Sequence, residues 1–167
     1  TGDKFTMPAG NVTVTATFKL TNYNVTVNTA TNGTVSSNKE TACMGETVTL
    51  TITPDTGYEL DTLTVKDAAD TAITVTDGEF TMPGGNVTVT ATFKLTNYNV
   101  TVNTVTNGTV SSNKETACMG DIVTLTITPD TGYALDGLTV KDAADTAITV
   151  TGDKFTMPAG NVTVTAT

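Results

Sequence analysis

Asn86-Val87-Thr88-Val89-Thr90-Ala91-Thr92-Phe93-Lys94 alternates without a break. Val87, Val89, Ala91 and Phe93 fall on one face of an extended chain, and Thr88, Thr90, Thr92 and Lys94 on the other. A period of two is the signature of a half-buried β-strand. Thr47-Val48-Thr49-Leu50-Thr51-Ile52-Thr53 repeats the pattern, as do the shorter runs Tyr23/Val25/Val27, Leu63/Val65, Ile73/Val75 and Phe80/Met82. Threonine is β-branched, stiff at χ1 and suited to a pleated surface. That preference accounts for 43 threonines in 167 residues without invoking a ligand.

Turn-forming residues separate these runs. Asn32-Gly33 predicts a tight hairpin between Val27 and Val35. Pro54-Asp55-Thr56-Gly57 ends a strand with a glycine available for positive φ, and Asp77-Gly78 and Pro83-Gly84-Gly85 punctuate the chain further on. The expected architecture is mainly β: tandem small β domains, β-grasp-like or β-sandwich-like, of about 75 residues per repeat with six or seven short strands each. Single helical turns fit only near Ser36–Met44 and Lys66–Asp70. The expected core is Val25, Val27, Val48, Leu50, Ile52, Tyr58, Leu60, Leu63, Val65, Ile73, Val75, Phe80, Met82, Val87, Val89 and Phe93. Seventy-five residues lie near the lower limit of independent stability, so contacts between neighbouring units along the array should help.

The repeat is explicit. Tyr23-Asn24-Val25-Thr26-Val27-Asn28 returns as Tyr98-Asn99-Val100-Thr101-Val102-Asn103, and residues 1–92 laid on 76–167 agree at 79 of 92 positions. Residues 1–17 equal 151–167 without a change. The expected organisation is residues 1–22 as the C-terminal strand region of a preceding repeat plus linker, then repeat units at 23–97 and 98–167, a window from a longer array. Differences cluster at turns, as in Asp77/Gly152, Gly78/Asp153 and Glu79/Lys154, while Thr47/Ile122 departs from the polar trend.

Charge and composition exclude several classes. The chain carries 8 Lys+Arg and 17 Asp+Glu, a net charge of -9, and it has no His, Arg, Gln or Trp. Triads built on histidine cannot form, and the commonest metal ligand is missing. Net negative charge repels a nucleic-acid backbone, so no nucleic-acid partner is expected. No run of about 18 apolar residues exists, and no membrane span is expected.

The quoted pieces resemble a known family. Tyr23-x-Val25-Thr26-Val27, Asn32-Gly33-Thr34-Val35, Gly45-Glu46-Thr47-Val48-Thr49-Leu50-Thr51-Ile52-Thr53-Pro54, Gly57-Tyr58-Glu59-Leu60 and Phe80-Thr81-Met82-Pro83-Gly84-Gly85-Asn86-Val87-Thr88-Val89-Thr90-Ala91 are similar to the divergent internalin-B-type B-repeat of bacterial cell-surface and secreted proteins. Leu60 and Leu63, or Leu135 and Leu138, stand where such repeats often carry an aromatic. The resemblance implies a compact β-grasp-like, mostly strand unit, an extracellular or cell-surface location, a spacer or adhesive role, and no catalytic residues.

Candidate sites are few, and no enzyme activity, cofactor or metal is expected. Cys43 and Cys118, one per unit, read as small apolar thiols, with a cross-link between chains as the functional alternative. Val12, Val14, Ala16 and Phe18 form a candidate strand-addition segment. Asp67, Asp70 and Asp77, or Asp55, Glu59 and Asp61, are the oxygen clusters a calcium ion would use, although EF-hand spacing is absent. Lys66 or Lys94 beside a strand asparagine would suit an isopeptide bond. The leading expectation is a stalk or adhesive scaffold whose units meet at short Lys-Leu-Thr-Asn joints, Lys19–Asn22 and Lys94–Asn97. Alternatives are a protomer of an extracellular filament assembled by strand addition and a carbohydrate- or calcium-dependent binding module. The partners expected are neighbouring repeats, copies of the chain itself, or a host or cell-surface ligand.

Overall fold

A computed structural model of the protein describes residues 4–167. The described chain is all β, with no helix; the single turns expected near Ser36–Met44 and Lys66–Asp70 are instead strand and tight turn. Each unit has eight strands rather than six or seven. In the first they are β1 (Asn22–Val27), β2 (Gly33–Ser37), β3 (Thr41–Cys43), β4 (Thr47–Pro54), β5 (Tyr58–Asp67), β6 (Ala72–Ile73), β7 (Glu79–Thr81) and β8 (Val87–Leu95). The second repeats them as β9 (Asn97–Val102), β10 (Gly108–Ser112), β11 (Thr116–Cys118), β12 (Ile122–Pro129), β13 (Leu138–Asp142), β14 (Ala147–Ile148), β15 (Lys154–Thr156) and β16 (Val162–Ala166). The strand that alternation does not show is β3, three residues long and too brief to display a period.

Two sheets face each other in each unit. The larger has the order β3-β1-β8-β5-β6 and the smaller β2-β4-β7; the second unit copies both as β11-β9-β16-β13-β14 and β10-β12-β15. The architecture is a small sandwich with a β-grasp-like feature: the first and last long strands lie side by side in parallel. Val25, Thr26 and Val27 of β1 register with Val87, Thr88 and Val89 of β8, and Val100–Val102 with Val162–Val164 in the second unit. A parallel pair cannot be closed by a tight turn, so strands β2 to β7 make the crossover. Asn86 secures its start, its Oδ1 accepting from the amide of Asn24 at 2.8 Å; Asn161 does the same for Asn99 at 2.9 Å.

Asn32-Gly33 does not make the expected hairpin. Asn32 has φ 66°, but β1 pairs with β3 and β8, whereas β2 pairs with β4. The turn carries the chain from one sheet to the other. Asp77-Gly78 is a true two-residue hairpin turn, with φ 51° and 78° and reciprocal bonds between Thr76 and Glu79 at 2.9 Å. The reversed order Gly152-Asp153 keeps both φ values positive, at 55° and 61°. Aspartate and glycine both tolerate that region, which explains why the repeats differ there.

Alternation reads out as burial. Along β8 the pattern puts Val87, Val89 and Ala91 inside with Thr88 and Thr92 outside. Val25, Ala42, Val48, Leu50, Val65, Phe80, Met82, Val87 and Val89 form one core, and their counterparts between Val100 and Val164 form a second. Each core draws on one unit alone. Among the described residues nothing polar or charged is buried, so these interiors rest on apolar packing. Three expected core members lie elsewhere. Leu60 is 37% exposed beside a bulge in β5, and Tyr58 and Phe93 are half-buried at the unit's end. Ala42 and Ala91 are buried in their place.

Met82 is 1% exposed within the first core. Met82→Ala should cost about 2–5 kcal/mol in that unit. Urea denaturation followed by residue-resolved NMR should show the 23–97 signals melting earlier while those of 98–167 keep their midpoint.

Candidate functional site: the joint between repeats

Joint geometry follows from the parallel pair. The chain enters a unit at the start of β1 and leaves at the end of β8, and because these strands run the same way, entry and exit lie at opposite poles. From the level of Asn22 to that of Leu95 the ladder register spans eleven residues, roughly 35 Å at about 3.3 Å per residue. The expected four-residue linker is nearly absent. β8 ends at Leu95 and β9 begins at Asn97, leaving Thr96 alone between them.

Thr96 is tied down. Its amide donates to the carbonyl of Gly57 at 2.9 Å, which holds the exit against the Pro54–Gly57 turn of the unit just completed. Lys94, on the exposed face of β8, bridges Glu59 and Asp61 at 3.5 and 3.6 Å. Phe93 folds over Gly33: a methyl group there would come within 2.7 Å of its ring. The next unit contributes Met119. A methyl group on Gly57 would meet Met119 Cε at 2.7 Å and Sδ at 2.8 Å, so only a glycine admits this approach, and its φ of +84° asks for glycine as well.

The two copies differ at this pole. Gly57 is buried under Met119, while Gly132, its equivalent, is exposed with no atom within 4 Å of its Cβ position. Met119 is half-buried and its equivalent Met44 is 63% exposed. Around Gly108, Pro129, Tyr133, Leu135 and Thr167 the second unit has an open cleft of about 450 Å³, with Tyr133 57% exposed.

Met44 and Met119 each sit on a turn braced by a carboxylate. Glu46 accepts from the Cys43 amide at 2.6 Å and from Lys39 Nζ at 3.0 Å. Asp121 accepts from Lys114 Nζ at 2.8 Å and from the Cys118 amide at 3.2 Å. The Cys43 amide, aided by Lys39, holds the Glu46 carboxyl below its ordinary range; Lys114, aided by the Cys118 amide, does the same for Asp121.

The other candidates are placed as follows. Cys43 and Cys118 are free and only partly buried, their thiols donating to Asn22 Oδ1 at 3.0 Å and Asn97 Oδ1 at 3.3 Å. They are edge-strand residues rather than core fillers. Val12, Val14, Ala16 and Phe18 lie in a segment, residues 4–20, that is exposed and without strand; Phe18 is 96% exposed. Asp67 caps its own turn, accepting from the amides of Ala69 and Thr71 at 2.9 Å, and Asp70 pairs with Lys66. Among the described residues no three or more Asp, Glu or Cys side chains converge into a metal-holding group. Lys94 is exposed and Lys66 half-buried, each in an ion pair with a neighbouring carboxylate. Sequence reasoning passed over Met44 and Met119; an unbranched apolar residue inside a Cys-Met-Gly turn was the available signal.

The divergent InlB B-repeat domain description matches the chain three times, over residues 1–22, 23–97 and 98–167. No curated protein and no solved structure matches it.

Both carboxyls are lowered in the fold, so the native turns bind fewer protons than the unfolded chain. Their contribution is complete above the ordinary carboxylate range, near pH 4–4.5, and disappears as pH falls through the lowered values. An NMR pH titration should find the Glu46 and Asp121 carboxyls titrating below the values the same residues show in the urea-unfolded chain; equal midpoints in the two states would contradict the bracing.

Proposed function

The chain belongs to the divergent InlB B-repeat family, whose repeats are associated with bacterial surface proteins, and from that premise we propose that it serves as a spacer: a serial stalk that holds other parts of a surface protein at a distance. The observation that carries this reading is the parallel pairing of first and last strands, β1 with β8 and β9 with β16. Entry and exit at opposite poles make each added unit lengthen the array. An antiparallel pair would bring the chain back to its starting pole.

Tied joints support the same reading. With Thr96 alone between strands, its amide bonded to Gly57 and Met119 seated on that glycine, neighbouring units share a packed boundary instead of a free tether. Pulling on the ends loads the β1–β8 ladder along its length, so several hydrogen bonds must give way together. The outer faces suit an exposed location. Threonines line them, some paired across strands as Thr62 and Thr92 are at 2.7 Å, and the net charge of -9 opposes self-adhesion through those faces. Among the described residues no helix is long and apolar enough to cross a membrane.

Small-angle scattering of the 167-residue chain tests the spacer. Two units in series give a two-lobed pair-distance distribution and a radius of gyration well above the roughly 15 Å of a compact chain of this length. A single symmetric peak would contradict it.

A further inference from the structure

We propose that Met119 is a modification site: a peroxide oxidises its thioether to the sulfoxide, and that oxidation releases the packed boundary between the two repeats. This deepens the spacer reading and rests on its tied joint. Met119 stands on the Cys118-Met119-Gly120 turn of the second unit and reaches Gly57 of the first. The sulfur itself takes part in the contact. A methyl group at Gly57 would lie 2.7 Å from Met119 Cε, 2.8 Å from Sδ and 3.1 Å from Cβ, so the side chain lies along the glycine backbone.

Placement separates this methionine from the two in the cores. Met82 and Met157 are each 1% exposed, one inside each apolar cluster. Met119 is half-buried. It is covered enough to contribute to the boundary, and a dissolved oxidant can reach it without either unit opening.

The oxidation is a direct oxygen transfer. A lone pair on sulfur attacks one peroxide oxygen, the S–O bond forms as the O–O bond breaks, and the second oxygen takes up the proton and leaves as water. Sulfur is oxidised by two electrons and the peroxide is reduced by the same two. An apolar, flexible side chain becomes a polar, chiral one. The new oxygen calls for hydrogen bonds, and its seat is the buried Gly57. Burying it unpaired is costly, and lifting Met119 off the glycine into water avoids that cost. The second unit then hangs on the covalent link through Thr96, the single residue between β8 and β9. Both units carry both halves of this contact: Cys43-Met44-Gly45 and Cys118-Met119-Gly120, Pro54-Asp55-Thr56-Gly57 and Pro129-Asp130-Thr131-Gly132. A junction between such units brings one thioether onto one glycine, so oxidation turns a stiff rod into a jointed one.

The full chain with Cys43→Ser, Cys118→Ser, Met7→Leu and Met44→Leu leaves Met119 as the one sulfur outside the two cores. Limited hydrogen peroxide should add one oxygen, located at Met119 by peptide mass spectrometry, with Met82 and Met157 intact. Heteronuclear NMR relaxation reads the joint. Before oxidation the two units should share one slow rotational correlation time; afterwards the shared value should be lost, each unit tumbling faster while both cores keep their chemical shifts. The two epimer-specific methionine sulfoxide reductases should restore it. Met119→Leu should keep the joint through the same treatment, and Met119→Gln, polar without any oxidant, should lose it. Sulfoxide at Met119 with tumbling unchanged, a Met119→Leu chain that peroxide loosens equally, a Met119→Gln chain that stays joined, or a Met119 oxidised no faster than Met82 and Met157 would each overturn the proposal and leave the spacer standing. Units that tumble independently before any oxidant is added would overturn both this proposal and the tied joint.

Discussion

The parallel ladder between the first and last strands of each unit is the constraint from which the rest of the molecule follows. Three residue pairs define it: Val25 with Val87, Thr26 with Thr88 and Val27 with Val89. It closes the unit on itself, since the two strands furthest apart in sequence become neighbours in the middle of the larger sheet. It requires a long crossover, which the chain uses to build the whole second sheet. It also separates entry from exit. Without that separation the repeat would be a cluster of beads; with it the repeat is a rod segment.

The interiors are plain and the poles are specific. Each core is a set of valines with one Phe, one Leu, one Met and one small alanine on the β3 or β11 edge strand, Ala42 or Ala117. Such a core specifies a compact unit but nothing about its neighbours. Specificity sits at the joint, where glycines at 33 and 57 leave room for Phe93 and Met119. A side chain at Gly57 would hold the next unit off, and one at Gly33 would displace the unit's own Phe93.

Much of the fold was legible because sandwich strands announce themselves. Alternation located β4, β5 and β8, and the Asp77-Gly78 turn behaved as its residues require. Nonlocal pairing left no such trace. Nothing in Tyr23–Val27 says that its partner lies some sixty residues on, and so Asn32-Gly33, a strong local hairpin signal, was read as joining paired strands when it joins sheets. Ala42 and Ala91 escaped the expected core because small residues carry little hydrophobic weight, yet close packing of two sheets needs them. Leu60 was placed inside on its apolarity, but the bulge next to it turns the strand. At the joint, the Lys-Leu-Thr-Asn stretch reads as a connection; that three of its four residues belong to strands depends on Lys94 and Leu95 pairing with Glu59 and Tyr58 and on Asn97 pairing with Cys118, which sequence alone does not display.

Distance across one unit tests the account most directly. Spin labels at Thr21 and Thr96, in a chain whose native cysteines are replaced by serine, flank the entry and exit of the 23–97 unit, and pulsed electron resonance reads their separation. Strands running in parallel place the labels thirteen residues apart along the ladder, roughly 43 Å, in a narrow distribution. A separation under about 15 Å would mean that the chain returns to the pole at which it entered, and the parallel ladder, the rod and the joint would fall together.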